Sequence, residues 1–121
     1  MRAGPSKDKV QNMPDEIFGK VAAAIQAGNA DALTSYLQSP VEITVPGAGS
    51  SYSAQKAKFV LQDFFVRYPP IRFSLAHEGT TGATHYATGS YVSGGGTFDT
   101  NIFLKKVNDV YKVTELRFES A

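Results

Sequence analysis

The hydrophobic period changes at Pro69-Pro70, and that change limits the folds open to this chain. Before it, Ser53 to Tyr68 (SAQKAKFVLQDFFVRY) reads as one amphipathic helix. Ala57, Val60, Leu61, Phe64 and Tyr68 fall on one side with Phe65 beside them, while Lys56, Lys58, Gln62, Asp63 and Arg67 fall on the other. After the two prolines, apolar residues recur every second position, the period of strands. A sheet with one apolar face needs something to close over it, and this helix is the natural lid. The spacing therefore predicts an α+β fold, a curved and mostly antiparallel sheet wrapped around a long helix. With 121 residues the chain is sized for one domain.

Two shorter helices precede the long one. Residues 1–12 are polar and aperiodic and read as a disordered lead, leaving 13–121 as the domain. A helix starts near Pro14, where a missing N–H costs nothing, and Asp15 and Glu16 suit the positive end of its dipole. Ile17, Phe18, Val21, Ala24 and Ile25 form its apolar stripe, and Gly28 is the expected stop. Asn29 caps a second helix that carries Leu33, Tyr36 and Leu37 and ends at Pro40. Val41 to Val45 alternates as a strand, Pro46 to Ser51 reads as a loop, and Ser53 caps the long helix. Four strands follow: Ile71 to His77, Ala83 to Val92, Thr97 to Val107 and Val110 to Glu119. Their turns fall at Gly79–Gly82, Gly94–Gly96 and Asn108-Asp109.

Register decides which side chains look inward. A two-residue loop at Gly94-Gly95 pairs Tyr91 with Phe98, Ala87 with Ile102 and His85 with Leu104 on one inner face. At Asn108-Asp109 a two-residue loop opposes Lys105 to Lys112, whereas a three-residue loop sets Leu116 beside Ile102 and Phe118 beside Thr100. Opposed like charges are unfavourable and a buried leucine is favourable, which selects the odd loop. The same logic around Gly79–Gly82 opposes Leu75 to Ala87 and His77 to His85, with both histidines inward. No Asp or Glu then lies on the inner face.

The order of elements resembles the nuclear transport factor 2-like superfamily (cystatin-like fold). Ala27 to Leu33, followed by Leu37 and Val41-Glu42-Ile43, is similar to its first helical turn and first strand. Within it, Val41 to Gly47, Tyr52-Ser53, Asp63-Phe64-Phe65, Pro69-Pro70, and Phe103 to Lys106 with Leu116 to Phe118 resemble an uncharacterised bacterial domain-of-unknown-function family. The resemblance runs from about Pro14 to Glu119 and implies a cone-shaped cavity at one end of the helix. It further implies a first strand lying beside the last, and an exported or periplasmic protein whose signal has been removed. A shared fold carries no catalytic assignment.

Alternation places Tyr36, Phe64, Tyr68, Phe73, His77, His85, Tyr91 and Phe98 around such a cavity, apolar with few polar groups, as small-molecule sites are. The function read here is non-catalytic binding of a small apolar ligand or a partner. The enzyme alternative is a dehydratase or hydrolase built on His77, His85 and a tyrosine, with Tyr91 the candidate. It competes with a plainer role for each: half-exposed histidines at a sheet end, and a tyrosine packed with its hydroxyl satisfied. The inward face lacks the carboxylates that an isomerase of the ketosteroid type requires. A third alternative is a homodimer through the outer sheet face, where Tyr86, Asp99, Asn101, Phe103 and Arg117 mix aromatics with charge.

Composition closes other routes. A net charge of +1 gives no electrostatic case for nucleic acid. No apolar run approaches the ~20 residues of a membrane span. The absence of cysteine excludes disulfides and thiolate chemistry. Two histidines without a third ligand make no zinc centre, so neither metal nor cofactor is expected.

Overall fold

The computed structural model describes residues 13–121; the lead assigned above to residues 1–12 lies outside them. Helix α1 is Pro14–Ala27, α2 is Ala30–Thr34 and α3 is Ala54–Arg67. The strands are β1 Leu37–Val45, β2 Ala48–Tyr52, β3 Pro70–Thr81, β4 Thr84–Ser93, β5 Gly96–Val107 and β6 Val110–Ser120. They form one curved, open sheet in the order β2-β1-β6-β5-β4-β3. Only β1 and β6 pair in parallel; every other neighbour is antiparallel.

The helices form where their ends are satisfied. Gly28 closes α1 at φ 63°, a conformation open to glycine, and its N–H reaches Ile25 O at 3.0 Å. The Asn29 side chain accepts from the Ala32 N–H at 3.0 Å and starts α2 at once. Ser53 accepts from the Lys56 N–H at 3.2 Å and starts α3. Asp31 meets Lys58 Nζ at 2.7 Å, tying α2 to α3 across the surface. Both long helices turn their apolar stripes to the sheet: Ile17, Phe18, Val21, Ala24 and Ile25 from α1, and Ala57, Leu61, Phe64 and Phe65 from α3.

Several elements depart from the sequence expectation. The second helix stops at Thr34, and β1 already begins at Leu37. Pro40 therefore lies inside a strand, in the stretch between the Leu37–Val113 and Glu42–Glu115 pairs where the register shifts. A proline has no N–H to give the ladder, so it fits only such a gap. The stretch Pro46–Ser51 is a hairpin turn and strand rather than a loop. Val45 opposes Ala48 across Pro46-Gly47, with Gly47 at φ 83°. Backbone pairing at a sheet edge tolerates a Gly/Ser-rich sequence, which is why composition conceals it.

The Gly94-Gly95 register is as expected, with Tyr91 opposite Phe98, Ala87 opposite Ile102 and His85 opposite Leu104. At Asn108-Asp109 both competing registers occur, in succession. Both turn residues have positive φ and make a two-residue turn, so Lys105 does oppose Lys112. The register then shifts between Leu104–Val113 and Phe103–Glu115. That extra residue brings Leu116 opposite Ile102 and Phe118 opposite Thr100, and buries Val113, Leu116 and Phe118 together.

Candidate functional site

The interior end nearest Tyr68 is built of aromatic rings. Phe64, in the last turn of α3 on its inward face, stacks on Phe118 with centroids 4.5 Å apart, and lies 5.1 Å from Tyr91 and 5.4 Å from Phe98. Tyr68 meets Phe98 edge to face at 4.8 Å. The Tyr91 hydroxyl donates to the Tyr68 carbonyl, so the one polar atom of this ring is spent on the end of α3. Burial pushes the Tyr91 phenol well above the ordinary tyrosine range. Four of the eight residues assigned to a cavity, Phe64, Tyr68, Tyr91 and Phe98, are thus brought together, packed ring against ring. Phe73 is buried beside them, its centroid 6.5 Å from Tyr91. Tyr36 lies at the other end of the sheet, against Tyr111, Lys112 and Ile17 in a recess of about 290 Å³.

The two histidines do not face each other. The β3–β4 register shifts between Leu75 and His77, so His77 opposes Thr88 on the outer face and is exposed, 6.0 Å from the Tyr86 ring. His85 remains inward at the sheet end, opposite Thr80, with its ring 5.2 Å from Tyr111. The relay of His77, His85 and Tyr91 is therefore not assembled. The extra residue in β3 has a second consequence: Glu78 opposes Ala87 and takes an inner register position, contrary to the expectation of no acid there, while its side chain stays exposed at the sheet end. Glu78, Asp15, Phe18, Thr80 and His85 line a small recess of about 180 Å³. Loss of water around the Glu78 carboxyl raises it above the ordinary range, and the Asp15 carboxyl beside it raises it further. Among the described residues no group of three or more His, Asp and Glu is placed to hold a metal.

On the outer face Tyr86 opposes Phe103, and Asn101 opposes Arg117. The Arg117 guanidinium lies between Glu115 (3.7 Å) and Glu119 (3.4 Å), and Asp99 is exposed beside them, opposite Glu119.

A larger concavity than these recesses lies elsewhere, outside the cone. A cleft of about 630 Å³ runs between the solvent side of α3 and the β1–β2 turn. Val45, Pro46, Gly47 and Ala48 form one wall, and Lys56, Phe59, Val60, Asp63 and Arg67 the other. Phe59 is 59% exposed although it is a large apolar side chain in the middle of a helix. Lys58 Nζ stands 5.7 Å from its ring centroid. Arg67 Nε pairs with Asp63 at 3.1 Å, one helical turn away. Sequence reasoning missed this site because it sorted α3 into one buried stripe and one solvated face. The available signal was Phe59 and Val66, two apolar residues seven apart on the polar face, both strongly exposed.

A six-stranded, curved, open sheet closed by helices in this order defines the nuclear transport factor 2-like, cystatin-like class of α+β proteins. Residues 18–119 match the family model Domain of unknown function (DUF4783), and the chain belongs to that family. A DUF4783 family protein from Bacteroides ovatus superposes with a TM-score of 0.81 at 26% identity, covering 92% of this chain and 97% of that one. A second, from Bacteroides uniformis, gives 0.81 at 23% identity over 91% and 98%. An NTF2-like protein of unknown function from Shewanella baltica gives 0.66 at 14% identity over 100% and 98%, a likeness of fold alone. No curated protein matches the sequence.

Proposed function

We propose that this is a non-catalytic binding domain, and that its ligand is a small apolar molecule held in the cleft between α3 and the β1–β2 turn rather than inside the cone. The observation that carries this reading is Phe59, exposed on the wall of a 630 Å³ cleft that also presents Val60, Val45 and Pro46. Clefts of ~300–1,000 Å³ with apolar walls and few polar groups are the usual form of small-molecule sites. The tight ring packing around Phe64 supports moving the site outward, since a ligand there has to displace stacked aromatics.

Titration with the neutral dye N-phenylnaphthylamine tests the reading. The wild-type protein is expected to give saturable fluorescence enhancement. Phe59→Ser weakens it by about fivefold, the worth of ~1 kcal/mol of aromatic contact. Its unfolding midpoint stays close to wild type, since exposed positions change stability by only ~0.5 kcal/mol. Absence of saturable binding by the folded wild-type protein overturns the proposal.

A further inference from the structure

We infer that the cleft selects an apolar carboxylate, with the apolar body against Phe59 and Val60 and the carboxylate at Lys56. The inference rests on the binding reading above and adds the chemical class of the ligand. It follows from accounting for the charges around the cleft. Arg67 is neutralised by Asp63 at 3.1 Å. Lys58, one residue before Phe59, is committed to Asp31 at 2.7 Å. Lys56 lines the cleft, and among the described residues no carboxylate lies within ion-pair distance of it. An apolar cleft with one uncompensated cation at its wall is complementary to a single negative charge on an otherwise apolar molecule.

The local sequence sharpens the point. Lys56 falls in the first turn of α3, where the helix dipole opposes a cation, and that turn contains no acid to offset it. Its backbone N–H is already taken by Ser53 Oγ at 3.2 Å, so the ammonium rather than the amide is the group offered to a ligand. The same position with Glu would complete a capping box and favour the helix. The charge of Lys56 is therefore unfavourable to α3 on its own, and a bound carboxylate gives it a partner.

Matched pairs differing only in the head group test this by competition against the neutral dye at low salt. Decanoate against decanol and naphthoate against naphthylmethanol serve for alkyl and aryl bodies. In the wild-type protein the acid of at least one pair is expected to bind about fivefold better than its alcohol, the upper range for an exposed ion pair. The preference shrinks as salt is added. In Lys56→Gln the acid falls to the level of the alcohol, so the ratio of the two approaches one. In Phe59→Ser both members weaken together. Equal binding of acid and alcohol by the wild-type protein overturns the inference and leaves the apolar cleft standing. A preference that survives in Lys56→Gln overturns it as well. Failure of the dye and of all four ligands to bind overturns the binding reading, and this inference with it.

Discussion

At the scale of single residues, the consequential placement is Glu78. An extra residue in β3 puts it on the inner register beside Asp15 at the exposed sheet end, where its carboxyl loses part of its water and meets a second carboxyl. Both effects favour the protonated form in the folded state. Glu78 therefore binds its proton more tightly folded than unfolded, and stability contributed by that proton is present at low pH and lost as pH rises. Glu78→Gln removes the charge while keeping the shape. The variant is expected to match wild type below pH 4.5, the ordinary value for the group, and to become progressively more stable than wild type above it. Urea midpoints measured across that range check this, and a gain of equal size at all pH values contradicts it. His77 shows the other side of the same shift. It falls on the outer face opposite Thr88, and no inspection of period 2 alone reveals the residue at which the alternation breaks.

At the scale of elements, β4 is the strand whose register was legible. The Gly94-Gly95 turn pinned it, and Tyr91, Ala87 and His85 stand opposite the partners that a two-residue loop demands. The turn chemistry there is local, so the chain states it directly. β6 was legible only in part. Its turn follows local φ preferences at Asn108 and Asp109, and its core face follows burial of Leu116 and Phe118. The register shift near Thr114 reconciles the two. β3 offered no comparable constraint, because its inward residues run from Phe73 and Leu75 to Glu78 and Thr80, a mixture without a strong preference for either side. β3 is held to β4 by an antiparallel ladder, and Gly89 lets the two approach closely in its middle. A Cβ there lies 2.7 Å from the Ser74 carbonyl oxygen and 3.0 Å from the Phe73 ring. Gly89→Ala is expected to lower stability by ~1–3 kcal/mol, an overpacking cost with backbone on one side of the clash. The variant's denaturant midpoint reads it, and an unchanged midpoint shows that β3 moves aside freely.

At the scale of the whole molecule, the parallel pairing of β1 with β6 links the two halves of the chain. Ile43 opposes Leu116, so a strand from before α3 is seated against β6, from the far side of α3 in sequence. One aromatic core, centred on Phe64 with Tyr91, Phe98 and Phe118, then belongs to α3, β4, β5 and β6 at once. Unfolding is expected as one cooperative transition, with far-ultraviolet circular dichroism and tyrosine fluorescence coincident in denaturant; separated transitions contradict this. The period of the apolar residues, the glycine and proline punctuation and the capping side chains determined the first and the long helix, the start of α2, the strands after Pro70 and the α+β class, because each acts over a few residues. Only the tertiary structure decided where β3 and β6 slip by one residue, that Phe64, Tyr91, Phe98 and Phe118 pack ring against ring, and that Phe59 borders an outer cleft. Those outcomes depend on how distant segments fit against one another in three dimensions, and no local pattern of side chains contains that information.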